Sequence, residues 1–168
     1  LFNPKLFLNT SVYYSKYDYS LSFKSDDNIA QGYDWISDIQ TYGIKPQLTW
    51  YASSKHQIKT GINLLYYNFY PGKGTAMSEG IKNEIALVKR YGSEAAVYVE
   101  DTWKISPKLQ MQAGVRLNRY AYLGNTTVYY FRDTTANVRK PLDRAEEVSS
   151  KKPVTDWTFF EPRVSLRY

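Results

Sequence analysis

The feature of this sequence that most restricts its fold is the alternation of apolar and polar residues between Leu109 and Asn118. Apolar residues occupy the odd positions of this stretch, and polar residues or glycine occupy the even positions. Alternation with a period of two predicts a β-strand whose two faces meet different surroundings. One face could contact a protein core and the other water, or one could contact lipid and the other an aqueous interior.

The same alternation recurs along the chain and predicts an all-β fold, an antiparallel meander of about six long strands. Three strand starts align about 50 residues apart: KLFLNTSV from Lys5, KHQIKTGI from Lys55 and KLQMQAGV from Lys108. The segment 79–90 fits either a helix or an extension of the fourth strand. We predict strands at residues 6–23, 41–51, 57–70, 95–105, 109–122 and 159–168.

The predicted connections differ strongly in length. Short turns are predicted at residues 52–55 and 105–108, and both contain serine, a common turn residue. Long polar loops are predicted at residues 24–34, 71–93 and 123–157. Loops of this length usually carry function. Short turns at one end of a sheet and long loops at the other are typical of outer-membrane β-barrels.

Composition narrows the possible functions without deciding between lipid and a protein core. Mean hydropathy is −0.53, and no run approaches the ~20 apolar residues of a transmembrane helix. A membrane β-strand, however, exposes only alternate residues to lipid. The net charge of +6 fits an anionic partner, but lysine and arginine are not clustered, so nucleic-acid binding is not expected. The absence of cysteine excludes disulfides and cysteine metal sites.

Aromatic residues and strand length favour lipid on the apolar faces. Trp50 and Trp103 stand at matching positions before the two short turns, as in a membrane-interface girdle. Several predicted strands exceed the usual ~5–6 residues of globular proteins and reach the ~9–11 of a tilted membrane strand. The alternative is a soluble, carbohydrate-binding β-sandwich, in which these aromatic residues pack in a core.

Two residues fit the strand pattern poorly, and the strand number leaves the sheet open. Pro46 predicts a sheet edge or a bulge, and Asp101 falls on the apolar side of its strand. Six strands are too few for a closed barrel, and each unpaired backbone group at an edge in hydrocarbon costs on the order of several kcal/mol. We therefore expect the chain to be part of a larger barrel, or to pair with other chains.

Short motifs in the second half of the chain resemble the barrel of TonB-dependent outer-membrane receptors. In that family a strand ending in Tyr-x-x-Asp precedes a periplasmic turn, a strand with Gly-x-Arg follows, and a Pro-Arg-x-Ser strand comes next. The segment FNPKLFLNTSVYYSKYDY at 2–19 is similar to receptors of the Bacteroidetes type. The residues that match the three motifs are Tyr98 and Asp101, Gly114 and Arg116, and Pro162, Arg163 and Ser165.

The resemblance implies a bacterial outer-membrane barrel of about 22 strands with an N-terminal plug, of which this chain would be an internal segment. It implies active uptake of a scarce nutrient, such as a siderophore, a glycan or a peptide. The implied partners are outer-membrane lipid, the remainder of the barrel and plug, the inner-membrane TonB complex, and an accessory surface lipoprotein. No plug or TonB box is recognisable here. A passive porin or structural outer-membrane barrel is the alternative.

Two groups of residues are candidate binding positions. The charged residues of the first group could form ion pairs between strands or with a plug, or line a substrate path, and its glycines could admit a plug or a neighbouring backbone. The aromatic residues of the second group could stack on sugar rings or flat chelates. The first group, predicted to face a lumen, is Lys45, Lys59, Gly61, Gly114, Arg116, Glu161, Arg163 and Arg167. The second group, predicted in loops, is Tyr33, Trp35, Tyr129, Tyr130 and Phe131.

No catalytic or metal site is predicted, so the chain is not expected to be an enzyme or to carry a cofactor. His56 is the only histidine, and a Ser–His pair with Ser53 would require an orienting acid and an oxyanion site. We therefore expect His56 to be solvated in its turn. No set of residues has the spacing of metal ligands.

Overall fold

The computed structural model describes residues 4–24, 31–78, 80–124, 126–132, 140–149 and 152–168. The described ranges contain β1 (Leu6–Lys24), β2 (Gly32–Tyr51), β3 (His56–Ser78), β4 (Ile81–Ala86), β5 (Arg90–Lys104), β6 (Gln110–Leu123), β7 (Thr126–Phe131), β8 (Leu142–Val148) and β9 (Pro153–Arg167). All of their pairings are antiparallel, which confirms the predicted all-β, antiparallel fold class. No helix within these ranges is long and apolar enough to cross a membrane.

Six long strands form the main sheet in the order β1-β2-β3-β5-β6-β9. The strands follow one another along the chain apart from the insertions of β4 and of the β7–β8 hairpin, so the sheet is a meander. β4 pairs with the second half of β3, and β7 pairs with β8 in a separate two-stranded sheet. In the described part of the chain, β1 and β9 each pair on one side only, and the sheet is not closed.

Three strands extend into the first two predicted long loops. β2 begins at Gly32, β3 continues to Ser78, and β5 begins at Arg90. The prediction of continuous loops at 24–34 and 71–93 is therefore wrong for most of their described residues, although 31, 80 and 87–89 lie outside strands. Their glycine, proline and polar residues weaken the local strand signal, but ladder bonds to neighbouring strands hold the backbone extended.

The predicted loop 123–157 also contains strands. Within it β7 and β8 form a hairpin, with Thr126 opposite Val148 and Tyr130 opposite Arg144. β9 starts at Pro153, six residues before the predicted start at Phe159. An isolated two-stranded hairpin is only marginally stable in water, so the β7–β8 pair depends on its surroundings more than the main sheet does.

The ambiguous segment before β5 forms a strand and not a helix. β4 pairs with the last part of β3, from Lys73 opposite Ala86 to Ser78 opposite Ile81. Glu84 on β4 accepts hydrogen bonds from the ammonium groups of Lys82 at 2.5 Å and Lys73 at 2.9 Å. These two contacts, Lys82 first, lower the pKa of the Glu84 carboxyl to about 2.

The lowered pKa of Glu84 predicts the pH at which this contact is lost. Because the folded-state pKa lies below the ordinary 4.5, the ion pairs contribute fully above about pH 4.5 and are lost as the pH falls through about 2. We expect a carboxyl carbon NMR titration of Glu84 to have its midpoint near 2, and Lys82→Gln to move it upward. A midpoint near 4.5 in the unsubstituted chain would contradict the paired geometry.

Serine side chains close the two short turns at one end of the sheet, which we call the short-turn end. Ser53 Oγ accepts the backbone N–H groups of Lys55 and His56, each at 3.1 Å. Ser106 Oγ accepts that of Leu109 at 3.1 Å. Such bonds satisfy backbone donors where the strand ladder ends. The β2–β3 and β5–β6 connections therefore lie together at this end.

Pro46 lies in an interior strand, so the expectation of an edge or a bulge there is wrong. β2 is flanked by β1 and β3, and Pro46 stands opposite Thr10 of β1. Within the described strands, the irregularity of the β2–β3 register lies between Ile36 and Asp38 instead. The missing N–H of the proline therefore interrupts the ladder locally without shifting its register.

The main sheet has almost no hydrophobic core of its own. Among the described residues, the buried hydrophobic ones are Ala96 and Ala121, and no large side chain is fully buried. Ile44 and Val115, which the lipid interpretation places outward, are each 41% exposed. Each described strand has its extensive contacts with the strands that it pairs with in its own sheet, and not with a second layer. The described residues therefore form a single layer and no two-layer sandwich.

Candidate functional site

The strand register gathers the predicted polar positions on one face of the main sheet. Residues directly opposite each other in an antiparallel ladder point to the same face. Lys59 stands opposite Glu100, Glu100 opposite Gly114, and Gly114 opposite Arg163. We call this side the polar face. It carries all eight predicted positions: Lys45, Lys59, Gly61, Gly114, Arg116, Glu161, Arg163 and Arg167.

The opposite side of the sheet, which we call the apolar face, is aliphatic over most of its width. Ile62, Val97, Leu117 and Phe160 stand in register across β3, β5, β6 and β9. All four are exposed, Phe160 at 68%. A contiguous exposed apolar surface of this kind normally marks a contact with lipid or with another protein.

Aromatic side chains border the apolar face at both ends. Trp50 and Trp103 lie at the short-turn end, and we call them the Trp row. At the other end, Tyr14 packs on Tyr42 with ring centroids 5.0 Å apart, and Tyr66 stacks on Tyr91 at 6.3 Å. The second border, the Tyr row, consists of Tyr14, Tyr42, Tyr66 and Tyr91.

Beyond the Tyr row the two sides of the sheet exchange character. On the side of the apolar face, Lys16 pairs with Asp18 at 2.7 Å and Gln40 donates to Asp38 at 3.1 Å. The same stretch of the polar face carries large apolar side chains, namely Tyr17, Leu21, Phe23, Trp35, Ile39 and Phe69. In β1 and β2 the apolar and polar residues therefore still alternate beyond the Tyr row, but each kind lies on the opposite face from before.

An ion-pair cluster, formed by two pairs, lies on the polar face over β5, β6 and β9. Arg116 donates to Glu94 at 3.3 Å, with side chains 22% and 20% exposed. The Tyr67 hydroxyl donates to the second Glu94 oxygen at 3.4 Å. Arg163 pairs with Glu161 at 2.6 Å along β9. These charges therefore interact with one another inside the sheet.

An open cavity of about 240 Å³ lies beside this cluster. Lys45 and Lys59 line it and form no ion pair with a described residue, in contrast to the two arginines. Glu100 is the carboxylate in its lining, so the surface has an excess of positive charge. The remaining polar or glycine residues around the cavity are Gln47, Tyr98, Gly114, Arg116 and Arg163.

The two glycines predicted to face the lumen, Gly61 and Gly114, have different neighbours: a side chain lies over the first and a backbone lies against the second. A Cβ on Gly61 would lie 2.6 Å from the hydroxyl oxygen of Tyr98 and 2.7 Å from the carbonyl oxygen of Pro46. Tyr98 therefore covers Gly61, and no space for a plug remains directly above it. A Cβ on Gly114 would lie 2.7 Å from the carbonyl oxygen of Val99, so there the neighbouring backbone approaches closely.

Two of the predicted loop aromatics lie in the main sheet. Tyr33 and Trp35 belong to β2 and point to the polar face. The ring of Trp35 covers Gly72, where an added Cβ would clash with the ring. The sequence-based placement of these two residues in a loop is wrong, because pairing with β1 and β3 extends β2 back to Gly32.

The other three predicted loop aromatics lie together in β7, on a different sheet from Tyr33 and Trp35. The guanidinium of Arg144 stands 4.2 Å from the centroid of the Tyr130 ring, a cation–π contact across the hairpin. Tyr129 and Phe131 are more than half exposed. The structure therefore offers two separate aromatic surfaces and does not join the five residues in one site.

His56 has a partner that the sequence did not reveal. Its Nδ1 lies 2.7 Å from Oδ2 of Asp101, and its ring stacks on Trp103 at 5.5 Å. The expectation of a simply solvated histidine is therefore wrong. Ser53 Oγ is bonded to backbone N–H groups and forms no triad with this pair. The available signal was Asp101 on an apolar face, which requires a polar partner.

Neither a ligand cluster nor a similar protein identifies the chemistry of this chain. Across the described ranges, no group of three or more His, Cys, Asp or Glu side chains could hold a metal ion. No protein family model, curated protein or solved structure matches the chain. Its function is therefore inferred from the chemistry of its two faces and from its unpaired edges.

Proposed function

We propose that this chain forms part of the wall of a transmembrane β-barrel in a bacterial outer membrane. The apolar face contacts lipid and the polar face contacts an aqueous lumen. The observation that supports this best is the border of the apolar face: a Trp row at one end, a Tyr row at the other, and mostly aliphatic side chains between them. Aromatic girdles around an apolar band are the pattern of membrane β-barrels.

The distance between the two aromatic rows fits the thickness of such a band. Trp50 and Tyr42 are eight residues apart in β2, which is about 26 Å at ~3.3 Å per residue. Trp103 and Tyr91 are twelve residues apart in β5, or about 40 Å. A strand tilt of ~40° reduces these lengths to about 20 and 30 Å, close to the ~25 Å band of outer-membrane barrels.

The open edges and missing core favour a larger barrel over a soluble sandwich. A sandwich buries one face of each of two sheets, and the described residues supply a single large sheet. β1 and β9 are 19 and 15 residues long, and in the described part of the chain alternate residues of each direct unpaired backbone groups outward. In hydrocarbon these groups require further strands, so we infer that the remainder of a barrel pairs with both edges.

Within this class we propose a TonB-dependent receptor that takes up a scarce nutrient of the siderophore, glycan or peptide class. The resemblance of the Tyr98–Asp101, Gly114–Arg116 and Pro162–Ser165 motifs supports it. This function requires a plug and the TonB complex as partners, and a surface lipoprotein would be an accessory partner. The aromatic surfaces beyond the Tyr row, around Trp35 and Tyr129, are the proposed contacts for ligand capture.

Single-cysteine labelling tests the orientation of the two faces. Because this chain contains no cysteine, an introduced cysteine is its only thiol and the only site in it that the reagent labels. Cysteines replace Val97 and Val115 on the apolar face and Glu100 and Gln112 on the polar face of the full chain in lipid vesicles. We expect an environment-sensitive fluorophore to report lipid at the first pair, and a water-soluble thiol reagent to react at the second. Water at both faces, or lipid at both, would contradict the barrel wall.

Energy dependence of uptake separates the receptor from the passive porin. In cells that express the full chain, collapse of the inner-membrane proton gradient should abolish accumulation of the nutrient by a TonB-dependent receptor. A porin would continue to equilibrate its solute. Uptake that is unaffected by the collapse, together with correct labelling of the two faces, would retain the barrel and reject the receptor.

A further inference from the structure

We propose that the short-turn end of the sheet binds the headgroups of anionic phospholipids, and that His56 donates a hydrogen bond to a headgroup phosphate. The inference rests on the proposed function, because it requires the apolar face to meet a bilayer. It adds a specific lipid contact at one rim of the apolar face, with a named donor and a named class of ligand.

The position of the His56–Asp101 pair is unusual for ionisable groups. Asp101 stands opposite Ile58 on one side and Ala113 on the other, so it lies on the apolar face. His56 is the first residue of β3 and stands opposite Trp103, in the Trp row. A charged pair on a lipid-facing surface is tolerated at the interface and is costly near the bilayer centre. The pair therefore lies at the depth expected for headgroups.

The contacts of the pair leave one ring nitrogen available. Nδ1 of His56 is hydrogen-bonded to Oδ2 of Asp101 at 2.7 Å. The imidazole ring stacks on Trp103 with an interplanar angle of 16°, which holds the plane of the ring. No described residue hydrogen-bonds Nε2, and Asp101 Oδ1 is buried without a described partner. A ring that is protonated at both nitrogens donates through Nε2, and a phosphate oxygen is a suitable acceptor.

The charge of the surrounding turns is complementary to an anionic headgroup. The turns 52–55 and 105–109 contain no acidic residue. Basic side chains close to a membrane surface attract anionic lipids, and the adjacent tryptophans are amphipathic residues suited to the interface. The basic residues in these turns are Lys55 and Lys108, whereas Lys104 and Arg167 at the same end lie on the polar face.

Lipid selectivity measures this contact directly. The full chain is reconstituted in phosphatidylcholine vesicles at mildly acidic pH. Electron spin resonance compares the association of spin-labelled phosphatidylglycerol and phosphatidylcholine with the protein. We expect a preference for phosphatidylglycerol that His56→Gln lowers by about two- to fivefold, the size of one charge at an anionic surface. Lys24→Gln, which removes one positive charge at the far end of β1, should leave the preference unchanged.

The possible outcomes separate this inference from the proposed function. Correct insertion without a phosphatidylglycerol preference, or equal losses in His56→Gln and Lys24→Gln, would overturn the headgroup site and retain the barrel wall. Failure of the unsubstituted chain to insert when it is produced together with the remainder of its barrel would reject both. If His56→Gln does not insert, NMR of the histidine ring nitrogens in the unsubstituted chain decides: Nε2 should shift when phosphatidylglycerol is added and not with phosphatidylcholine. No shift in either lipid would overturn the site.

Discussion

Phe160→Arg is expected to destabilise the membrane-inserted chain by about 2–4 kcal/mol, the cost of arginine on the lipid face near the bilayer midplane. Phe160 lies in register with Leu117, Val97 and Ile62. This ladder crosses the apolar face between the Trp row and the Tyr row, far from either border. Asp156, the carboxylate of β9 on this face, is already paired with Arg119 at 2.8 Å, so the new guanidinium would have no free partner.

The adjacent residue provides a matched control. Phe159 has the same side chain and is also exposed, but it stands opposite Asn118 on the polar face. Phe159→Arg should therefore cost less than about 1 kcal/mol, since its charge would reach the lumen. Urea unfolding in phosphatidylcholine vesicles, followed by tryptophan fluorescence, measures both variants. Equal losses, or a larger loss for Phe159→Arg, would show that the two faces have been assigned incorrectly.

Gly61→Ala is expected to lower the free energy of unfolding by about 1–3 kcal/mol, the usual cost of overpacking. The new methyl group would meet the Tyr98 hydroxyl at 2.6 Å and the Pro46 carbonyl at 2.7 Å. The side chain can move, but the carbonyl belongs to the backbone of β2. The Tyr98 hydroxyl would also lose its hydrogen bond to Gln47, now 2.9 Å long.

A second substitution separates the two clashes. We expect Gly61→Ala to lower the free energy of unfolding less in a Tyr98→Ala chain than in the unsubstituted chain. In the Tyr98→Ala chain the ring is absent, so only the contact with the Pro46 carbonyl remains. Gly92→Ala is the matched control, since its new Cβ would meet the flexible Tyr120 hydroxyl at 3.1 Å and no backbone atom closer than that. If Gly61→Ala caused no loss in the Tyr98→Ala chain, the contact with the carbonyl would be one that the backbone relieves easily. An equal loss in Gly92→Ala would show that the cost arises from the strand backbone and not from packing.

The faces of the sheet were predictable because side-chain direction in a strand is a local property. Successive residues point to opposite sides, so the alternation around Val115 and Arg116 indicates their faces without knowledge of their neighbours. The eight positions predicted to share a face do share one in the structure. Which surroundings each face meets stays a prediction, and the labelling experiment tests it.

The strand ends were not predictable in the same way. Residues 71–78 include two glycines and a proline, which locally indicate a loop. They are strand because β2 pairs along one edge and β4 along the other, from Lys73 opposite Ile36 and Ala86 onward. Such ladder bonds depend on residues distant in sequence, so no window of local sequence contains them.

By itself the sequence determined the central parts of the six long strands, their two chemical faces and the short turns, because alternation and turn chemistry act over a few neighbouring residues. Only the tertiary structure decided which residues meet across strands. It placed His56 beside Asp101, 45 positions away, and aligned tyrosines from four strands into one row. The physical reason is the register: one set of ladder bonds fixes every cross-strand contact at once, and a slip of one residue would reverse each face.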